Sequence, residues 1–412
     1  MADDASAVDD ATVERLADRI VDGDLALHEL DDHADPETAV AARRRYVERA
    51  TGADLGTIGA GAVDAGTFAG NVENPVGAAQ VPLGVAGPVP VDGGHADGPY
   101  HLPLATTEGA LVASVNRGLA VLRATGGTEA RVVKSGMTRA PVFRVDGVAA
   151  AERVVDWVAD NEDRLREAAE ETTNHGELTA IAPYVVGDSV FLRFRFDTKD
   201  AMGMNMVTIA TEAACEIVAE ETEADLVALS GNLCTDKKPA AIDAIEGRGR
   251  TVTADAVVPD AVVEERLHAP PAALAEVNRR KNLVGSAKAG SLGFNAQAAN
   301  VVAAAFLATG QDAAQVVEGA NAITTVEVRE SGLYVSISLA SLEVGTVGGG
   351  TGLPTQSEAL SILGLGGGGD PPGANADALA EVIAVGALAG ELSLLGALAS
   401  DHLASAHESL GR

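Results

Sequence analysis

Apolar and charged positions alternate at helical spacing through ATVERLADRIVDG and again through ETAVAARRRYVERA, which predicts short acidic helices within residues 1–50. A Gly/Ala-rich passage near 52–70 leads into ENPVGAAQVPLGVAGPVPVDGG, whose Pro and Gly punctuation and β-branched residues predict short strands and turns. Helical spacing resumes after Thr106 in ALVASVNRGLAVLRA, and ARVVKSGMTRAPVFRVDG reads as strands. Residues 148–175 (AAAERVVDWVADNEDRLREAAEETT) predict one amphipathic helix with Trp157 on its apolar face. The strand candidates LTAIAPYVVGDS and VFLRFRFDTKD follow, then a helix from about 201 to 220. That order, strand–helix–strand–strand–helix, is that of a small α+β sandwich inserted into a larger domain. After 239 the pattern is mostly helical with Gly-rich interruptions, ending in an Ala/Leu helix over about 375–400. GLGGGGDPPG at 363–373 reads as a flexible loop.

Composition narrows the class. A chain of 412 residues has room for two or three domains. A hydrophobic share of 47% excludes a disordered acidic chain, even at a net charge of −31. Aromatic residues make up only 3%, so the core must be built from Ala, Val, Leu and Ile. The acidic excess opposes nucleic acid and anionic membranes as partners, since both would be repelled. Lysine occurs only at Lys134, Lys199, Lys237, Lys238, Lys281 and Lys288, and the other basic positions are Arg. Strong acidity with so little lysine points to the cytoplasm of a salt-loving, archaeal organism. Cys215 and Cys234 lack CxxC or Cys/His ligand spacing, so neither a disulfide framework nor a metal site is expected. MADDASAVDD is acidic where a signal peptide would be basic. Asn300 interrupts the apolar stretch at 295–309, and Glu381 and Glu391 the one at 379–400, so no membrane span is expected.

Against that background the side-by-side pair Lys237–Lys238 in CTDKKPAA is conspicuous, as is Lys281 in RRKNLVGSA. A compact ammonium suits neutralisation of an oxyanion or carboxylate in a closed site; the alternative is three solvated charges. Taken alone, Glu108 in ATTEGALVAS reads as a helix-capping acid, and Asp312 in GQDAAQ is ambiguous in the same way, as a helix N-terminal acid. His407 reads as a surface histidine near the end of a helix.

The blocks TTEGALVASVNRG, GMTRAPV, DAMGMNMV, SGNLCTDKKPAAI with EGRG, KNLVGSAKAGSLG, NAQAAN, GQDAAQ, GTVGGGTGLP and HLASAH occur in the order found in 3-hydroxy-3-methylglutaryl-coenzyme A (HMG-CoA) reductases. The chain resembles that family over roughly residues 70–407. The ENPVG…VPLGVAGP segment is similar to the biosynthetic, eukaryotic and archaeal (class I) type. The resemblance implies an α+β fold: a small N-terminal helical domain (1–72), a large, mostly helical HMG-CoA-binding domain (73–139 and 240–412), an inserted ferredoxin-like NADP(H)-binding domain (140–229), and a connecting active-site loop (230–239).

It also implies roles. Glu108 would protonate the developing mevaldehyde oxygen, and like-charge repulsion and desolvation would keep such a Glu protonated beside an Asp. Lys237 would stabilise the oxyanion, Asp312 would link that lysine to the glutamate, and His407 would protonate the departing coenzyme A thiolate. Arg139, Ser230, Asp236, Lys238, Lys281 and Asn300 would hold the substrate. Asp200, Met202, Gly203, Met204 and Asn205 would form the dinucleotide turn, with Gly348, Gly349 and Gly350 as a nearby glycine loop. No GxGxxG follows a strand and opens a helix, so the Rossmann fingerprint is not used. Arg193, Arg195 and Lys199 are candidates for a 2′-phosphate, favouring NADPH, two molecules per turnover. Statin-type inhibitors should compete with HMG-CoA, and a homodimer or dimer of dimers should build the site between chains, with Lys237 and Glu108 from different subunits.

Gln297 stands where the family has a histidine, and Gly293-Phe294 shortens the preceding segment. The animal enzymes' membrane anchor and the serine after their histidine have no counterpart expected here. Two alternatives are NAD-dependent oxidation of mevalonate and a non-catalytic CoA-ester sensor.

Overall fold

The computed structural model describes residues 8–61, 63–68 and 70–400. The chain forms two compact units, one of residues up to 82 with 353–355, the other of 83–352 and 356 onward.

In the first unit the acidic helices form as the pattern predicts, at Asp10–Val21 and Pro36–Thr51. Asp9 caps the first, and Asp35 followed by Pro36 starts the second, a residue pair suited to a helix N-terminus. Their apolar stripes meet in a small core of Val13, Leu16, Ile20, Leu30, Ala39 and Ala42.

The second unit carries ten strands. They are β1 (Leu83–Gly93), β2 (Asp97–Ala105), β3 (Thr128–Arg139), β4 (Val142–Arg144), β5 (Glu177–Val186), β6 (Ser189–Asp197), β7 (Asp225–Ala228), β8 (Gly249–Val258), β9 (Ala322–Arg329) and β10 (Gly332–Leu342). β3 joins two regions. Its Thr128–Gly136 stretch pairs with β1 and β8, and its last residues, Met137–Arg139, pair with β6. Pro141 separates β3 from β4, as expected of a residue that cannot donate to a ladder.

β7, β4, β6 and β5 pair antiparallel in that order, and the helices Val148–Asp160, Glu162–Glu170 and Met204–Glu221 connect them. This is the βαββαβ arrangement. Its core holds Phe143, Phe194, Phe196 and the buried face of the Met204–Glu221 helix. The single helix expected over 148–175 is two, broken at Asn161, whose side-chain amide donates back to the Trp157 carbonyl at 2.8 Å.

The region after 239 is rich in helix but also contains β8, β9 and β10, which the sequence reading did not mark as strands. At its centre lies the Ala374–Ala399 helix, with 20 of its 26 residues buried. By length and composition it is apolar enough to cross a membrane, yet 83% of its most apolar window is buried in the protein, which identifies it as a core helix. Glu381 accepts backbone N–H bonds from Gly94, His95 and Ala96, and Glu391 from Ala296 and Gln297. Two buried carboxylates are thus tolerated because amides from other segments solvate them.

Candidate active site

The loop after β7 carries the lysine pair. Asn232, Thr235 and Lys237 all have left-handed backbone angles, with φ of 63°, 62° and 60°. Each such non-glycine residue costs roughly 1–2 kcal/mol, so the turn needs external support. Two buried carboxylates supply it. Asp243 accepts the Thr235 hydroxyl, and Glu318 accepts the backbone N–H of Lys237. The Lys237 ammonium lies 2.9 Å from Asp312 Oδ2. The hydrogen bond to Asp312 is the main reason the Lys237 pKa is raised above the usual lysine value, which keeps the group charged. Asp312 also accepts the Ala314 amide at the start of a short 3₁₀ turn, so it caps that turn while pairing with Lys237.

Lys238 is exposed and donates to the Asp236 carbonyl at 3.0 Å. The Asp236 carboxylate accepts from Arg248 at 3.0 Å and Gln315 at 3.3 Å. Ser230 Oγ lies 3.6 Å from Cys234 Sγ. Arg139, at the end of β3, donates to Thr208 Oγ1 at 3.1 Å. Arg248 is fully buried and also reaches Glu343 (3.1 Å) and Glu318 (3.5 Å).

Beside this loop lies a cleft of about 370 Å³, lined by Ala201–Met206, Gly310–Asp312, Gly345 and Val347–Thr351. It brings residues 202–205 and the glycines 348–350 together with Asp312, three segments far apart in sequence. Gly203 (φ 88°) ends the turn, and a Cβ there would stand 2.5 Å from the Thr198 side chain. The Met204–Glu221 helix starts at this point, and among the described residues no side chain caps it, so its N-terminus suits an anion. Gln311 clasps Gly345, donating to its carbonyl and accepting from its amide, and so fixes one wall of the cleft to another.

Glu108, Asn300 and Lys281 form a second group. Glu108 is exposed in the turn before the Leu111–Arg123 helix and makes no cap. It instead accepts from Asn300 Nδ2 at 3.3 Å, which removes the capping reading. Lys281 is exposed on a π-helical stretch, Asn278–Gly285, and its charge acts on Glu391. Among the described residues no hydrogen bond or ion pair within the chain joins Glu108 to Lys237 or Asp312. His407 lies outside the described residues.

The family model for hydroxymethylglutaryl-coenzyme A reductase matches residues 39–412. The chain belongs to this reductase family. Similar relatives are the 3-hydroxy-3-methylglutaryl-coenzyme A reductases of Haloferax volcanii and Halobacterium salinarum. The former is 70% identical, covering 96% of this chain and 98% of the relative, and the latter is 68% identical over the whole of both. Among solved structures, the class II HMG-CoA reductase of Streptococcus pneumoniae bound to NADPH has a TM-score of 0.66 at 20% identity. It covers 93% of this chain and 96% of its own, and shows a shared fold.

Three expectations for this reductase-family chain change on seeing the structure. Arg193 donates to the carbonyls of Leu233 and Gly247, and Arg195 to that of Glu246. Lys199 pairs with Asp197 and Glu177. Backbone carbonyls hold the two arginines and neighbouring carboxylates the lysine, so these cations give no argument for a 2′-phosphate. Asp200, expected to contact the cofactor, is 5% exposed and accepts backbone N–H bonds from Gly369, Gly373 and Ala376. It shapes the turn from behind. The same bonds, with that of Gly367 to Thr346, pin the 363–373 loop, which the sequence reading left flexible.

Arg248, Glu318, Glu343 and Asp243 were missed. The signal for Arg248 was available, since EGRG is one of the blocks carrying the resemblance. Buried charge is invisible without tertiary neighbours. Gln297, at the family's histidine position, donates its side-chain amide to the Gly390 carbonyl at 2.5 Å.

Proposed function

We propose that this chain catalyses the NADPH-dependent four-electron reduction of HMG-CoA to mevalonate and coenzyme A, serving isoprenoid and ether-lipid synthesis. The observation that carries it is the Lys237–Asp312 ion pair at the edge of a cleft shared by residues 202–205 and 348–350. Thioester-to-alcohol reduction needs two hydrides, so two dinucleotides visit the site in each turnover, with mevaldyl-CoA and mevaldehyde between. When bound, NADPH supplies the hydride. Met202, Gly203, Met204 and Asn205 hold it with the N-terminal amides of the Met204–Glu221 helix, opposite Gly348, Gly349 and Gly350.

Lys237, held charged by Asp312, meets the negative charge that develops on the carbonyl oxygen. Glu108 delivers a proton to the mevaldehyde oxygen, and His407 protonates the departing thiolate. Arg139, Ser230, Asp236, Lys238, Lys281 and Asn300 orient the HMG portion. Glu108 and Asn300 of one subunit complete the Lys237 site of another. The ENPVG…VPLGVAGP segment supports class I, biosynthetic membership, and the acidic surface supports a cytoplasmic enzyme working in high salt. Statin-type inhibitors compete with HMG-CoA.

The test is NADPH oxidation with HMG-CoA at high salt, beside NADH. Lys237→Ala is expected to lower kcat by about 10³-fold or more with an unchanged thermal midpoint. Substantial remaining turnover would overturn the mechanism. Preference for NADH with mevalonate would favour the oxidative direction instead, and no turnover with either pair would favour a sensor.

A further inference from the structure

The left-handed turn that aims Lys237 is supported by buried groups that do not line the cleft. Glu318 is fully buried, and one of its oxygens accepts the Lys237 amide. The Arg248 guanidinium binds that same Glu318 and also Glu343, both buried, while its other nitrogen donates to Asp236, the residue before Lys237. That nitrogen also lies 2.7 Å from the Met204 sulfur, in the turn that lines the cofactor cleft. One buried guanidinium thus touches the loop that carries the lysine, the carboxylate that holds the lysine's own amide, and the first residue of the helix facing the cleft.

We propose that Glu318 and Arg248 are positioning residues for the reduction, setting the Lys237 ammonium against the dinucleotide cleft. The inference rests on Lys237 acting as the oxyanion lysine. A left-handed lysine persists only where its surroundings over-determine it, and here the amide bond to Glu318 does so. Without that acceptor the amide is left unpaired, the turn relaxes, and the ammonium shifts relative to the cleft. Of the proposed substrate contacts, Asp236 and Lys238 flank Lys237 and shift with the turn, whereas Arg139, Ser230 and Lys281 do not pass through Glu318, so the rate falls further than binding. Misplacement by about 1 Å can cost about 10²-fold in rate.

The experiment uses the full chain at high salt and compares E318M, E318Q and K237A with the parent. Kcat is taken per folded molecule, and KM is read for both HMG-CoA and NADPH. E318M keeps the volume and removes the acceptor. Its kcat is expected to fall about 10²-fold, with the KM for NADPH within about threefold of the parent and that for HMG-CoA raised by no more than about tenfold. E318Q retains an oxygen for the Lys237 amide and should recover at least about tenfold of that loss. If E318M fails to fold, E318D, whose shorter side chain withdraws the acceptor while keeping charge near Arg248, is read by the same criteria. An E318M kcat within about threefold of the parent, beside an inactive K237A, overturns the positioning role alone. A loss confined to KM overturns it as well. An active K237A would instead sink the reading of the site on which the inference stands.

Discussion

Replacing Asp200 separates a role in building the cofactor turn from one in contacting the cofactor. Its Oδ2 accepts from Gly369 (2.9 Å) and Gly373 (2.7 Å), and its Oδ1 from Ala376 (3.1 Å), within the first turn of the Ala374–Ala399 helix. That helix begins at a glycine with no side chain to cap it, so Asp200 serves as the cap from a distant segment. Hydrogen bonds to a charged group contribute about 1.5–3 kcal/mol each. They do not add fully, because the freed amides in a surface-connected loop regain some water. Asp200→Ala should therefore cost about 3–5 kcal/mol. Asp200→Asn keeps its shape and one acceptor oxygen for the two glycines, but loses the Ala376 bond and the charge at the helix N-terminus. It should cost about 1–3 kcal/mol. Urea unfolding at fixed high salt measures both, and the KM for NADPH is followed in parallel. A loss below about 1 kcal/mol for Asp200→Ala would refute the capping account. A raised KM in Asp200→Asn at unchanged stability would instead mean that the carboxylate contacts the cofactor, as the family resemblance implied.

Two further predictions concern the core. Burial pushes the fully buried Glu343 carboxyl well above the usual carboxylate range. The folded chain therefore binds a proton there that the unfolded chain releases above its ordinary value near 4.5. Stability from this site is greatest at low pH and is lost as pH rises through the folded pKa. E343Q cannot titrate, so its urea-derived stability should fall less over that window, and an unchanged slope would contradict the assignment. At Gly118, a Cβ would stand 1.9 Å from the Ala389 carbonyl oxygen, which forces the Leu111–Arg123 and Ala374–Ala399 helices apart. Gly118→Ala should cost about 3 kcal/mol, read as a shift in the urea midpoint.

Local pattern was a good guide wherever one side of an element faces solvent. The acidic N-terminal helices and the β5–β6 pair stand close to where the pattern put them, and the final Ala/Leu helix, buried on nearly every side, was legible from the length of its apolar run instead. It was a poor guide to β8 and β10. Yet β8 buries Val252, Ala254, Ala256 and Val258 on alternate positions, so a period of two was present in GRTVTADAVV. Gly and Ala at high frequency blurred that alternation into the surrounding helical signal. β7 is only four residues long, and it exists because β4 offers it a partner. For the site, motif order was enough to nominate Lys237, Asp312, the 202–205 turn and the 348–350 loop. Asp200 shows the limit of such transfer: its place in the motif was right, while its carboxylate turned out to serve the loop behind it.

What the sequence alone determined is therefore the chemistry on offer. Its sparse lysines, its ordered blocks and its apolar periodicity named the ammonium, the carboxylates and the elements that carry them. Tertiary structure alone decided which charges are free to act. Arg193, Arg195 and Lys199 are written in the same letters as catalytic cations, but backbone carbonyls and neighbouring carboxylates already hold them. Arg248, Glu318 and Glu343 matter because folding removes them from water together, where a charge must find its partner. Desolvation depends on neighbours far along the chain, so no local pattern encodes it, and the Lys237 turn owes its shape to that buried set.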